Sequence, residues 1–210
     1  MISLAIKPQG DAKVKIIFLN GPPRAGKDTS AKLLRPFGFS RASFADDLKD
    51  RFERAFNGLR PEGEAKELPM PPPFDDATYR QGLIAFSEKF MKPLFGEHIF
   101  GKILIEQLKL VENIPNTLLH IDTNTNVPLE GFAISDSGFA LEALPVVQHF
   151  GKDNCRLVQV HRSGCSFAGD SRGWLKGDVL GLGTYTVYNN GTEEELLDQL
   201  KALLRRWNWL

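Results

Sequence analysis

The segment 14–29, VKIIFLNGPPRAGKDT, constrains the fold of this 210-residue chain more than any other. An apolar run ends at Gly21, and the letters GKDT close the segment. A strand, a glycine-rich loop and a helix in this order form the setting of a phosphate-binding loop. The backbone N–H groups of such a loop, with the positive end of the helix, surround phosphate oxygens. The sequence therefore predicts that this loop binds the phosphates of a nucleotide.

The loop departs from the usual pattern at one position. The hydroxyl expected directly after Lys27 is replaced by Asp28, and Thr29 follows one place later. Because a hydroxyl at that position normally contacts the metal ion, we expect Asp28 to meet Mg²⁺ through water rather than as a direct ligand.

Composition excludes some classes of partner. Lysine plus arginine and aspartate plus glutamate number 26 each, so no bulk charge favours stable binding to nucleic acid or to an anionic membrane. No apolar stretch is long enough to cross a bilayer. The extension 1–13 has too short an apolar start for a secretory signal, which predicts a cytoplasmic location.

Cysteine and histidine show no metal-binding pattern. Cys155 and Cys165 form neither a disulfide framework nor a ligand cluster, and both are interpreted as structural. The histidines lack metal-ligand spacing and are interpreted in the same way: His98, His120, His149 and His161.

Strand-like and helix-like patterns alternate along the chain. Apolar or β-branched runs predict strands at 14–20, 39–44, 132–136, 156–161 and 184–188. Helices are predicted at 27–35, 45–56, 76–91, 97–111, 139–150 and after Thr192. This alternation predicts a mainly parallel α/β sheet. The strand-like run 118–122 is either one arm of a hairpin or an inserted strand.

Local signals predict where these elements begin and end. Asp46 or Asp47 can cap the helix at 45–56, and Thr192 with Glu195 forms a capping box for the last helix. Lys92-Pro93 predicts a break between two helices.

Two loops have distinct compositions. The proline-rich stretch 59–76 predicts an irregular loop, either a substrate-binding segment or a passive linker. The glycine-rich segment 163–183 shows no helical period and is interpreted as a lid-like loop.

Reactive groups gather at the carboxyl ends of strands in a parallel α/β fold. Asp136 ends one apolar strand, where it would orient Mg²⁺ or its waters; it could instead cap the following helix, and Asp122 is the rival for the metal role. Lys27 and Thr29 would hold the phosphoryl donor, since phosphoryl transfer needs positioning, a metal ion and cations.

Several arginines could bind a phosphate with two hydrogen bonds. The candidates are Arg41, Arg80, Arg162 and Arg172, although each alone is more often a solvated surface residue. Arg172 lies in the glycine-flanked DSRG sequence, which suits an arginine on a lid. Arg162, just past a strand, could stack on a base or reach a phosphate.

Together, these segments resemble the bacteriophage-type deoxynucleoside monophosphate kinases, within the P-loop kinases of the adenylate-kinase group. The resemblance is carried by IIFLNGPPRAGKDT, SFADDLKDRFERAFNG, ISDSGFALE, VQVHRSG and VYNNGTEEELLDQLKALL. It implies a five-stranded parallel core, ATP with Mg²⁺, and transfer of the γ-phosphoryl group to a deoxynucleoside monophosphate. One departure is clear: relatives read Asp-x-Arg-Phe-x-x-Glu where this chain has Gly138 in place of the arginine.

We expect a single P-loop kinase domain at 14–210, with a helical acceptor segment at 59–115. The expected catalytic residues are Lys27, Arg172 and Asp136, with Asp28 and Asp136 near the metal ion. The expected ATP-binding residues are Gly21, Arg24, Ala25, Gly26, Lys27, Asp28, Thr29, Arg162, Asn190 and Gly191. The expected acceptor-binding residues are Arg41, Asp46, Lys49, Arg80 and Glu88.

The sequence leaves two other functions open. The chain could be a kinase of the same fold that acts on another small metabolite or on a nucleic-acid end. It could also be a nucleotide-binding regulator whose acceptor site has degenerated, which Gly138 motivates. The expected partners are small-molecule nucleotides and a second copy of the chain in a homodimer.

Overall fold

The fold is a five-stranded parallel sheet with the strand order β2-β3-β1-β4-β5. The computed structural model describes residues 14–56, 63–72, 77–112 and 127–210. The strands are β1 (Lys15–Asn20), β2 (Phe39–Ala42), β3 (Gly131–Ile134), β4 (Cys155–His161) and β5 (Thr184–Tyr188). The predicted parallel sheet flanked by helices is confirmed.

Helices cover both faces of the sheet. The α-helices are α1 (Lys27–Leu34), α2 (Ala45–Ala55), α3 (Tyr79–Ala85), α4 (Lys92–Phe95), α5 (Ile99–Glu112), α6 (Ala140–Phe150), α7 (Gly177–Leu180) and α8 (Glu193–Arg206). Helices α1 and α8 pack on one face, and α5 and α6 pack on the other. The central strands β1 and β3 are almost entirely buried, as expected of strands covered on both sides.

Side-chain caps explain two helix starts. The hydroxyl of Thr192 accepts from Glu195 N, and the Glu195 carboxylate accepts from Thr192 N, which confirms the predicted capping box of α8. Thr78 and Gln81 make the same arrangement at the start of α3.

The predicted break at Pro93 is wrong. A π-helix at Phe86–Met91 joins α3 to α4, and Pro93 lies in the first turn of α4. Lys92 keeps helical angles of φ −65° and ψ −44° although it precedes the proline, so the chain stays helical until Gly96, where φ is 89°.

Two predicted irregular loops contain regular structure. A 3₁₀ helix occupies Gly63–Glu67, and Pro69 forms an isolated antiparallel bridge with Thr78. The lid-like segment 163–183 contains the single-turn helix α7, which ends at Gly181 with φ 66°. A single turn is too short to leave a recognisable apolar period in the sequence.

Some predictions lie outside the described residues. These are the extension 1–13, the strand-like run 118–122 with Asp122, and the parts 59–62 and 73–76 of the proline-rich loop.

Candidate functional site: a phosphate-binding loop and its flanking charges

The segment between β1 and α1 folds as a tight loop against the ends of β4 and β5. Arg24 and Gly26 have positive φ angles of 63° and 102°. A Cβ atom at Gly21 would lie 2.5 Å from the carbonyl oxygen of Val160, and one at Gly26 would collide with the side chain of Asn189. Both glycines are therefore required for the loop to approach the neighbouring strands.

The side-chain ammonium group of Lys27 lies inside this loop. Its side chain is buried, and Nζ donates hydrogen bonds of 2.8 Å to the carbonyl oxygens of Gly21 and Pro22. Burial lowers the pKa of Lys27, and the nearby positive charge of Arg172 lowers it further. The nearby carboxylates of Asp28, Asp136 and Asp170 oppose this effect, but the net shift of the pKa is downward, so a bound anion would favour the charged ammonium.

Residues predicted to bind ATP meet on the β4–β5 side of the loop. Arg162 Nη1 donates to Arg24 O at 3.3 Å, and Ser163 N donates to Asn190 Oδ1 at 2.7 Å. Asn189 Nδ2 donates to Ala25 O at 2.9 Å. Asn189 thereby ties the end of β5 to the loop, a role that the sequence did not reveal.

Thr29 and Gly191 complete the predicted ATP-binding set. Thr29 lies in the first turn of α1, half-buried, and Gly191 lies in the turn that precedes α8. A Cβ atom at Gly191 would collide with the carboxylate of Glu195, so the capping box of α8 requires glycine there.

A network of ion pairs links the loop to three residues predicted to bind the acceptor. Asp28 Oδ1 accepts from Arg41 Nε at 2.9 Å and from Ser135 Oγ at 2.7 Å. Asp46 accepts from Arg41 Nη1 at 3.0 Å and from Lys49 Nζ at 3.3 Å. Burial alone would raise the pKa of Asp28, but the hydrogen bonds from Arg41 and Ser135 lower it below its ordinary value.

Asp136 caps helix α2 from the end of β3. Its Oδ1 accepts from Phe44 N at 2.9 Å, and its Oδ2 accepts from Ala45 N at 2.9 Å and from Ser43 Oγ at 2.8 Å. The prediction that Asp46 or Asp47 caps this helix is wrong: Ala45 N donates instead to the Asp136 carboxylate, from a distant segment, and to Ser43 Oγ at 3.2 Å. Asp136 also does not cap α6, which begins at Ala140 without a side-chain cap.

Arg172 lies directly against Gly138, the position where the expected arginine is absent. A Cβ atom at Gly138 would be 2.5 Å from both Cγ and Cδ of Arg172. The guanidinium of Arg172 donates to both carboxylate oxygens of Asp170, at 2.9 Å and 2.6 Å. These hydrogen bonds raise the pKa of Arg172 and lower the pKa of Asp170.

A second charged cluster surrounds Lys92 near the π-helix. Lys92 is buried; its Nζ lies 2.6 Å from Glu88 Oε1, 3.9 Å from Glu142 Oε1, and 4.6 Å from the centre of the Phe139 ring. Burial raises the pKa of Glu142 to about 8, against the opposing effect of Lys92. Glu88 therefore pairs with a buried lysine, and its negative charge adds to the raised pKa of Glu142, the glutamate of the ISDSGFALE segment.

Arg80 does not join these networks. It pairs with Glu67 in an exposed ion pair, with about half of each side chain accessible to solvent. Among the residues predicted to bind the acceptor, the described contacts thus place Arg80 outside both the Arg41 network and the Lys92 cluster.

The described histidines make structural contacts. His161 stacks on Trp174 with ring centres 4.1 Å apart, His149 packs edge-on against Phe150, and His98 Nδ1 lies 2.5 Å from Leu141 O. Cys155 and Cys165 are free thiols, and burial raises the pKa of Cys155 to about 12.

The loop residues fit a nucleoside triphosphate with Mg²⁺. Asp28 Oδ2 and the Thr29 hydroxyl make no hydrogen bond within the described part of the chain, so both are available to a hydrated metal ion. Among residues 14–56, 63–72, 77–112 and 127–210, no group of three or more His, Cys, Asp or Glu side chains is arranged to hold a metal.

Within the described residues, no helix combines the length and apolar character needed to span a bilayer.

Comparisons with known proteins give little information about function beyond this geometry. The sequence matches no model of a known protein family, and no curated protein matches it. Among solved structures, the chain is similar to a dephospho-CoA kinase from Campylobacter jejuni, with 13% sequence identity and a TM-score of 0.41. That alignment covers 91% of this chain and 96% of the other. At this level of similarity it contributes nothing to the choice of substrate.

Proposed function

We propose that this chain is an ATP-dependent phosphotransferase whose acceptor is a nucleoside or deoxynucleoside monophosphate. The observation that carries the proposal is the glycine-rich loop with the buried ammonium of Lys27 inside it and the charge of Arg172 close by. Two cations beside a phosphate-binding loop can stabilise the charge that develops on a transferring phosphoryl group.

In the proposed reaction, an oxygen of the acceptor phosphate bonds to the γ-phosphorus of ATP. The bond from that phosphorus to the β,γ-bridging oxygen breaks, which leaves ADP and the acceptor as a diphosphate. Lys27 would leave the carbonyl oxygens of Gly21 and Pro22 to bind donor phosphate oxygens. Mg²⁺ would be held by Thr29 and, through water, by Asp28, and would neutralise charge on the β- and γ-phosphates.

The network around Arg41 supports an acceptor that carries a phosphate group. This arginine uses Nε and Nη1 to bind Asp28 and Asp46, and its side chain is 40% exposed. Its Nη2 makes no hydrogen bond to a described residue, so it can bind an acceptor phosphate while the two aspartates hold the guanidinium in place. Lys49, paired with Asp46, would add a second positive charge.

The arginine missing at position 138 does not argue against transfer. The aliphatic stem of Arg172 packs against Gly138, and its guanidinium would take the role of the missing arginine. This contact favours an active kinase over a nucleotide-binding regulator with a degenerate site.

The test is a screen of acceptors with γ-labelled ATP and Mg²⁺. We expect label on at least one nucleoside monophosphate, and we expect Lys27→Ala to lower the rate at least about 100-fold. The matched control is Lys32→Ala, which removes an exposed lysine from the same helix. Label found only on a non-nucleotide or on DNA or RNA ends would overturn the assigned acceptor. Binding of ATP without any transfer would favour the regulator.

A further inference from the structure

We infer that Asp170 is a positioning residue for phosphoryl transfer: with Gly138 and Asn20, it fixes the guanidinium of Arg172 beside the phosphate-binding loop. This inference rests on the proposed function, since Arg172 needs a fixed position only if it meets a transferring group. Three separate contacts lead to it.

The first contact fixes the plane of the guanidinium. Asp170 Oδ1 accepts from both the backbone N and Nε of Arg172 at 2.9 Å, and Asp170 Oδ2 accepts from Nη2 at 2.6 Å. The pair is mostly shielded from solvent, with 26% of the Arg172 side chain and 15% of the Asp170 side chain exposed. Two parallel hydrogen bonds to one carboxylate restrict rotation of the fork much more than a single bond would.

The second contact is steric and fixes the arginine stem. A Cβ atom at Gly138 would lie 2.5 Å from Cγ and Cδ of Arg172 and 2.8 Å from its Cβ. Real Cβ atoms do not approach other atoms so closely, so the stem takes space that only glycine leaves free. Any side chain at position 138 would displace Arg172.

The third contact joins both partners to the strand that leads into the loop. Asn20 is completely buried, and its Nδ2 donates to Ser137 O at 2.7 Å and to Gly173 O at 3.0 Å. Its Oδ1 accepts from Leu175 N at 3.0 Å. Ser137 precedes Gly138 and Gly173 follows Arg172, so the side-chain amide of Asn20 links the segment that contains Gly138 to the segment that contains Arg172.

These contacts leave the guanidinium able to bind a ligand. Nη1 makes no hydrogen bond within the described part of the chain, and Nη2 has a second N–H beyond the one used for Asp170. An arginine loses side-chain entropy when it is fixed in one conformation. Because Asp170 already fixes Arg172 in the free protein, Arg172 loses less side-chain entropy during the transfer step.

A double-mutant cycle tests the inference in the full-length chain. We expect Asp170→Asn and Arg172→Lys each to lower kcat by about 10- to 100-fold while KM for ATP changes less than about twofold. We expect the double variant to be no slower than the slower single variant, since both remove the same positioned group. Three results would overturn the inference: reductions of kcat that multiply in the double variant, a normal kcat for Asp170→Asn, or a loss confined to ATP affinity. The control is Asp178→Asn, since the Asp178 carboxylate accepts from Val179 N in an exposed setting.

A second variant tests the same geometry without a change in charge. Gly138→Ala adds one methyl group under the arginine stem, and we expect it to reduce kcat as Asp170→Asn does. Gly183→Ala is the matched control, because the nearest atoms to its added Cβ are at ordinary contact distances of 3.6–3.7 Å. Wild-type kcat in Gly138→Ala would contradict the inference, and thermal denaturation checks that each variant is folded.

The test of Asp170 and Arg172 can fail independently of the test of the proposed function. If no nucleoside monophosphate accepts phosphate, the cycle is run on the acceptor that the screen identifies or on slow ATP hydrolysis. Coupled losses there would support the positioning role and reject only the acceptor. A chain that shows neither transfer nor hydrolysis would overturn both.

Discussion

Arg41 Nε donates a 2.9 Å hydrogen bond to Asp28 Oδ1, so the residue that follows the loop lysine is joined to an arginine of β2. The unusual aspartate in the loop thus has a structural explanation, because it accepts from Arg41 and from Ser135 at once. The donor loop and the proposed acceptor site share this carboxylate.

Arg41→Ala should weaken binding of the acceptor more than binding of ATP. We expect KM for the monophosphate to rise about 10-fold or more, because a charge-assisted hydrogen bond to phosphate contributes about 1.5–3 kcal/mol. Steady-state kinetics with each substrate varied in turn provide the measurement. Arg51→Ala, which removes an exposed arginine paired with Asp47 on α2, should leave both KM values unchanged. An equal rise in KM for ATP would contradict the assignment of Arg41 to the acceptor.

Asp136→Asn should destabilise the fold through the start of α2. Each carboxylate oxygen accepts a backbone N–H, and an amide can replace only one of the two, so we expect a loss of about 1–2 kcal/mol in the free energy of unfolding. Urea denaturation measures this loss. Asp198→Asn, at an exposed ion pair on α8, is the control.

The same variant also tests the predicted metal role of Asp136. The Mg²⁺ dependence of transfer should shift only if the carboxylate helps to orient the metal or its waters. An unchanged stability together with a shifted Mg²⁺ requirement would favour the metal role over the cap.

Glu142 should make the stability of the chain depend on pH. Burial raises its pKa to about 8 from an ordinary value of 4.5, so the folded state keeps a proton that the unfolded state releases. The free energy of unfolding should therefore fall as pH rises from about 4.5 to about 8, by at most about 1.4 kcal/mol per unit, and then level off.

Glu142→Gln should remove that part of the pH dependence, since glutamine cannot ionise. Chemical denaturation at several pH values between 5 and 8.5 tests this, and Glu106→Gln at an exposed position serves as control. A slope that persists unchanged in Glu142→Gln would assign it to other groups. Lys92 opposes the shift, because its positive charge 3.9 Å away favours the ionised form.

Asn189→Ala should lower affinity for ATP by loosening the loop. The side chain donates to Ala25 O, so its loss leaves a loop carbonyl without this partner and removes a link to β5. Isothermal titration with ATP should show weaker binding by about fivefold to 10-fold, equivalent to roughly 1 kcal/mol. Asn154→Ala removes a comparable hydrogen bond to Phe150 O near the other end of β4 and should leave ATP affinity intact. Equal effects of the two variants on ATP binding would reject the role of Asn189.

The sequence by itself determined the local elements of this protein. All five strands lie where apolar and β-branched runs predict them, and the Thr192–Glu195 box begins α8 as expected. These features depend on neighbours within a few residues, so backbone propensity and side-chain capping settle them. The predicted break at Pro93 is wrong, because Lys92 keeps helical angles and the helix continues from the π-helix to Gly96.

Only the tertiary structure decided which distant segments of the chain meet at the site. Asp136 caps a helix 92 residues earlier in the chain, and Asn20 holds a carbonyl 153 residues later. The contact of Arg172 with Gly138 likewise joins two loops that approach each other only when the sheet is assembled. A local sequence pattern carries no signal for such contacts, because the parallel sheet brings distant strand ends to one edge.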